Sequence, residues 1–89
     1  MKQSGIYQIF NKINGKFYIG SSNDIHRRLK NHRTELFRNK HANKHLQAAW
    51  NKYGYQYFEF WYLQLLPIDL IRQAEQYWID YLKPEYNIA

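Results

Sequence analysis

Tyr7, Tyr18, Arg28, His32 and Glu75 are the residues of this 89-residue chain whose types and spacing suit acid–base or metal chemistry. Glu75 falls on an otherwise apolar helical stripe of Ile71, Ala74, Trp78 and Leu82, at i+4 from Ile71 and i−3 from Trp78. A carboxylate there is costly unless it is paired or bound to a cation. It can reach solvent at the stripe's edge, pair internally with Arg28, or hold a hard divalent ion. Mg²⁺ beside a phosphate is commonly held by one carboxylate and several waters. Arg28 precedes His32 by four residues, so both share one flank of a helix. Together they offer a planar donor for phosphate oxygens and a titratable imidazole. The plainer alternatives are a surface arginine and a half-buried histidine at the edge of the core. His41 and His45 have the spacing of a metal-binding helix pair. Without cysteine or a third ligand nearby, they read as solvated residues at a helix start. His26, on a charged face, carries no signal.

The elements that must position these groups follow from patterning. Gly5 to Asn11 and Phe17 to Ser21 read as strands, and Asn14-Gly15 between them is a hairpin signal. Loop length decides the chemistry. A two- or four-residue loop puts Tyr7 and Tyr18 on one face, and a three-residue loop with a bulge at Gly15 puts them on opposite faces. Only the four-residue loop, Lys12 to Gly15, makes them diagonal neighbours about 7–8 Å apart. It also sets Gly20 opposite Tyr7, clearing space for the ring. The four-residue loop is the expected one.

Asp24 to Phe37 reads as a helix capped by Asp24 or Asn23, with Ile25, Leu29, His32 and Leu36 on one stripe. Asn39 to Asn43 is a polar break. A second helix runs from Lys44 to Tyr53, with Leu46, Ala49, Trp50 and Tyr53 at helical spacing and Gly54 as its stop. Tyr55 to Leu66 reads as a third strand, expected at the centre of the sheet because both faces look apolar. Pro67 ends it. A third helix runs from Ile68 or Asp69 to Leu82, and Pro84 stops it before a short tail, Glu85 to Ala89. The expectation is an α+β domain: a three-stranded antiparallel sheet flanked by helices, in the order β-β-α-α-β-α.

Composition bounds the partners. Residues 1–58 carry eleven Lys and Arg against Asp24 and Glu35, a net +9; residues 59–89 carry Arg72 and Lys83 against five acidic residues, a net −3. A basic region of that size points to a polyanion. Arg27, Lys30, Arg33 and Arg38 on the first helix, with Lys40 and Lys44 beyond it, are the candidate contacts to such a polyanion. The chain has no cysteine, which excludes thiol chemistry and agrees with a reducing compartment. No apolar stretch approaches the ~20 residues of a membrane span, and no signal peptide is visible. The expected location is the cell interior.

The opening hairpin also resembles a known family. Gly5-Ile6-Tyr7 and Tyr18-Ile19-Gly20 look like the two signature motifs of the GIY-YIG nucleases. Gly20-Ser21-Ser22, Arg28, His32, His41, Asn51-Lys52-Tyr53-Gly54, Glu75 and Tyr86-Asn87-Ile88 fall in the family's order. The likeness spans residues 1–89 and is nearest to the catalytic domains of phage-type homing endonucleases. It implies hydrolysis of phosphodiester bonds in DNA with one divalent cation, Mg²⁺ or alternatively Mn²⁺. On this likeness Glu75 holds the metal and Arg28 stabilises phosphate charge. Tyr7 is the candidate general base, and Tyr18 positions it or the phosphate. His32 and His41 are secondary, orienting water, phosphate or leaving group, and Asn87 supports the site from the tail. The likeness further implies a linker and a separate targeting region, makes the six basic residues candidate DNA contacts, and places the chain in the host cytoplasm, associated with the nucleoid through DNA. No membrane partner is expected, and an oligomer only transiently. Two alternatives stand beside it. One is a structure-selective repair or restriction-type nuclease of the same fold. The other is a non-catalytic basic nucleic-acid-binding module, against which the joint presence of Arg28 and Glu75 argues.

Overall fold

A computed structural model of the chain describes residues 2–87; Ile88 and Ala89 of the expected tail lie outside the described residues. Two strands, β1 (Gly5–Asn11) and β2 (Phe17–Ser22), lead into α1 (Ile25–Phe37) and α2 (Lys44–Tyr53). A third strand, β3 (Phe58–Leu65), precedes α3 (Ile71–Leu82). The three strands form one antiparallel sheet in the order β2-β1-β3. The α+β class and element order are those expected.

The hairpin closes with the four-residue loop. Asn11 N–H donates to Lys16 C=O and Gly15 N–H to Asn11 C=O, each at 2.9 Å. Asn14 Oδ1 accepts from Lys16 N–H at 3.0 Å. Gly15 takes φ 75°, which a glycine adopts without steric cost. The register is therefore Ile9 opposite Tyr18 and Tyr7 opposite Gly20.

The third strand departs from expectation. β1 is central, and β3 is an edge strand beginning at Phe58 after a 3₁₀ turn at Tyr55–Tyr57. The aromatic run misled because its outer positions are not core: Trp61, Tyr62 and Leu65 are exposed. Amphipathic aromatics tolerate such an edge. β1, with Ile6, Tyr7 and Ile9 all buried, is the strand covered on both faces.

One face of the sheet carries the main core. Asp24 caps α1 by accepting from Arg27 N–H at 3.3 Å, and the α1 stripe Ile25, Leu29, His32 and Leu36 is buried as expected. It packs with Tyr7, Ile9, Leu46, Trp50, Phe58 and Tyr86. Asn43 caps α2, and Gly54 at φ 98° ends it.

Ile6 and Ile19 are buried on the opposite face, because strand side chains alternate. α3 lies across that face. Its Glu75 meets Ser21 and its Trp78 meets Gln64, both of which pair with Ile6 in the sheet. α3 starts at Ile71, later than expected, because a 3₁₀ turn occupies Ile68–Leu70. Its stripe Ile71, Ala74, Trp78 and Leu82 is half-buried rather than buried, and Ile79 joins it. A single helix over a narrow sheet cannot enclose its own apolar face. Lys83, at φ 54°, ends the helix before Pro84.

Candidate active site

The site is built across the edge of the sheet. On the α1 side, Tyr7 and Tyr18 share a face, with ring centroids 6.4 Å apart. Tyr7 lies directly over Gly20: a Cβ added there would sit 2.5 Å from the Tyr7 Cζ atom. The next residue, Ser21, points to the other face and donates to Glu75 Oε1 at 2.5 Å. The dipeptide Gly20-Ser21 is thus a seam. Its glycine seats a tyrosine from one side, and its serine holds the carboxylate arriving from the other. Of the alternatives open to Glu75, the internal ion pair with Arg28 is not formed among the described residues; its recorded partner is Ser21.

Behind Tyr7 is a buried polar chain. Tyr7 Oη and His32 Nε2 are 2.6 Å apart, and His32 Nδ1 and His41 Nε2 are also 2.6 Å apart. The two imidazoles are nearly coplanar, at 19°, with centroids 4.8 Å apart. A short N···N contact with that centroid separation sets the rings edge to edge. His41 is 3% exposed, so the expected solvated histidine is instead an interior one. It is held because its N–H donates to Gln47 Oε1 at 3.0 Å while Gln47 Nε2 donates to Leu36 C=O. His45 does not join it; that ring meets Tyr86 edge-on at 5.1 Å.

Burial pushes the Tyr7 and Tyr18 hydroxyls above the usual phenol range; the Arg28 charge opposes the rise and the Glu75 charge adds to it. Burial, aided by the charges of Arg28 and His41, lowers His32 to about 3. Burial also lowers His41, against the attraction of Glu35. At neutral pH Tyr7 is therefore a phenol, and both histidines are uncharged.

Asn87, assigned a supporting role on the family likeness, sits against β2. Its Oδ1 accepts from Ile19 N–H and its Nδ2 donates to Ile19 C=O, each at 2.8 Å. The tail is fixed upstream by Tyr86, whose hydroxyl accepts from Asn11 Nδ2 at 3.1 Å and whose carbonyl accepts from Asn43 Nδ2 at 2.6 Å.

The basic residues spread out from this centre, and all six candidate DNA contacts are exposed. Arg27 lines a cleft with Arg28, Ser22 and Asn31. Lys30 and Arg33 line a separate hollow with Phe60 and Tyr62, where the Arg33 guanidinium lies 4.5 Å above the Phe60 ring. Arg38, Lys40 and Lys44 follow the turn from α1 into α2, away from the tyrosines. Sequence reasoning missed Ser21 and Asn43 as site residues. Ser21 faces away from the tyrosines, and only the placement of α3 on that face gives it a role. Asn43 showed only as part of a polar break.

A hairpin presenting two tyrosines to an arginine-bearing helix, with a carboxylate brought round the sheet's edge, defines a class. The family model of the GIY-YIG catalytic domain matches residues 3–87, and the chain belongs to that family. The chain is 41% identical over 92 residues to intron-associated endonuclease 1 of Enterobacteria phage T4. That match covers 98% of this chain but only 37% of the phage protein. The solved catalytic domain of homing endonuclease I-TevI superimposes with a TM-score of 0.84 at 40% identity, covering 90% of this chain and 88% of that one. The catalytic domain of intron endonuclease I-TevI in its E75A mutant form gives the same TM-score and identity, over 91% and 84%.

The donor sets discriminate between places for a divalent ion. One ligand atom from each of His32, Glu35 and His41 lies within 4.8 Å of the others, but the two imidazole nitrogens there bond each other. Nitrogen-rich sets suit zinc-like ions, whereas Mg²⁺ takes oxygen. Glu75, an oxygen donor with one oxygen already oriented by Ser21, fits Mg²⁺.

Proposed function

We propose that the chain is a divalent-metal-dependent DNA endonuclease domain that hydrolyses phosphodiester bonds, as part of a homing endonuclease. The observation that carries this reading is the meeting of Tyr7 and Glu75 at consecutive residues of β2, with Arg28 lining the cleft that begins at the next residue, Ser22. Glu75 would hold Mg²⁺, or Mn²⁺ in its place, and the ion would supply positive charge at the scissile phosphate. Arg28 binds a phosphate oxygen and stabilises the charge that develops there. Tyr7 is the general base and Tyr18 positions it or the phosphate. Because burial holds Tyr7 protonated, release of its proton depends on the opposing charge of Arg28; a bound cation would favour it further. His32 and His41 orient Tyr7, and Asn87 holds the strand beneath it. Arg27 guides the DNA backbone into the cleft, and Lys30, Arg33, Arg38, Lys40 and Lys44 add attraction that does not depend on base sequence.

The chain spans 37% of the length of its phage relative, which supports a separate targeting region. With one site per domain, the domain nicks one strand at a time and meets a second copy only transiently. Its workplace is the host cytoplasm, on nucleoid DNA. No helix among the described residues is long and apolar enough to cross a membrane.

Supercoiled-plasmid nicking, with and without Mg²⁺, tests the reading. Wild type should nick only with metal, and Arg28→Ala and Glu75→Ala should each lose at least about a hundredfold in rate, the scale of removing one transition-state contact. Metal-independent nicking, or full activity in Glu75→Ala, would overturn the metal role. Salt-sensitive binding without cleavage would leave a binding module instead.

A further inference from the structure

The histidine chain behind Tyr7 has a direction, and a backbone amide sets it. Asn43 N–H donates to His41 Nδ1 at 3.0 Å. A neutral imidazole carries one N–H and one bare nitrogen. Because His41 Nδ1 must be the bare one, His41 bears its proton on Nε2. That nitrogen faces His32 Nδ1 at 2.6 Å, so His32 Nδ1 must accept. His32 then bears its own proton on Nε2, which faces Tyr7 Oη at 2.6 Å.

We infer that Asn43, His41 and His32 form a one-way hydrogen-bond chain that ends by donating to the Tyr7 oxygen, so that His32 steadies a Tyr7 phenolate and does not take its proton. This deepens the assignment of Tyr7 as base and rests on it. The Tyr7 O–H is left for an acceptor on the side of Tyr18 and Arg28. His41 and Asn43 are positioning residues. Asn43 is suited to the task because its side chain is tied at both ends. Its side chain accepts from Leu46 N–H at the start of α2 and donates to the Tyr86 carbonyl, so its backbone N–H cannot swing away from His41. Reversing the chain would turn the His41 Nδ1–H against the Asn43 N–H, two donors with no acceptor between them.

The direction is directly observable. In the full chain labelled with ¹⁵N-histidine, a long-range proton–nitrogen correlation spectrum at neutral pH reports which ring nitrogen bears the proton. His32 and His41 should each be a single Nε2–H form, while exposed His26 and His45 give averaged signals. His32 protonated on Nδ1, or either interior ring doubly protonated, overturns the inference. Two substitutions extend the test. His41→Gln can place an amide N–H where Nε2 stood, and His41→Glu places an oxygen. His41→Gln should keep the Nε2–H form of His32, and His41→Glu should switch it to Nδ1–H. With both variants folded by circular dichroism, His41→Glu should nick about tenfold or more slowly than His41→Gln, the worth of one hydrogen bond to a developing charge. Equal rates despite the switch would overturn the phenolate role. If the Nε2–H forms are seen yet Tyr7→Phe nicks at the wild-type rate, the chain's direction stands and the assignment of Tyr7 as base falls.

Discussion

Ser21 Oγ lies 2.5 Å from Glu75 Oε1 and donates its proton to it. The bond spans 54 positions of sequence and joins an edge strand to the last helix. Among the described residues, Ser21 is the one side chain that hydrogen-bonds the Glu75 carboxylate. A serine that fixes one carboxylate oxygen leaves the other to meet the cation, and such support typically changes metal affinity by about 10–100-fold. Ser21→Ala should therefore raise the Mg²⁺ concentration for half-maximal nicking by about tenfold, with little loss at saturating metal. An unchanged metal titration would show that Glu75 orients itself.

Gly20 admits no side chain. Gly20→Ala drives a methyl group into the Tyr7 ring, which cannot retreat because the buried His32 bonds its hydroxyl. Overpacking of this kind costs about 1–3 kcal/mol. A lower melting temperature together with a larger fall in nicking rate is expected. A variant with wild-type stability and activity would mean that Tyr7 can be displaced freely.

Acid should loosen the fold through His32. Its folded-state value, about 3, lies below the ordinary imidazole value near ~6.5. The unfolded chain therefore binds more protons between those limits, and stability falls as pH drops from about 6.5 towards 3. His32→Gln removes this contribution. Between pH 6.5 and 4, wild type should lose more stability than His32→Gln in matched denaturant titrations. Parallel losses would show that His32 does not resist protonation.

Asn87 makes two hydrogen bonds to one residue of β2. Asn87→Ala leaves the Ile19 N–H and C=O without them. A loss of about 1–3 kcal/mol follows, with reduced nicking that Asn87→Asp does not restore, because a carboxylate cannot donate to the Ile19 carbonyl. Thermal melts and nicking rates check both parts.

Arg27 should act through phosphate charge alone. Arg27→Ala should weaken DNA binding equally across sequences and reduce the slope of log affinity against log salt by about 1. A change in sequence preference without a change in slope would assign Arg27 to base contact instead.

The hairpin was legible in the sequence because loop parity and strand alternation are local. Asn14-Gly15 and the spacing of Tyr7 from Tyr18 narrowed the hairpin to a few loop lengths, and the room that Gly20 leaves for the Tyr7 ring favoured the register observed. The α1 stripe was legible for the same reason, including His32. The position of β3 was not. A short aromatic run looks alike at the centre and at the edge of a sheet, and strand order depends on which edge of β1 remains open after the hairpin forms. His41 was misjudged because its burial depends on Gln47 and Leu36, from two different helices. The Ser21–Glu75 bond depends on the face that α3 covers, which residue spacing does not record.

β2 is the other edge strand, and an open edge invites a further strand to add. At Ile19 the Asn87 amide already occupies both backbone groups on that side, imitating the peptide unit of a fourth strand. The strand that carries the Tyr18-Ile19-Gly20 motif is thereby covered at its middle outward-facing residue by a single side chain. Losing Asn87 would do more than weaken the site. It would leave the Ile19 N–H and C=O open on the outer edge of β2, where an extended segment can pair.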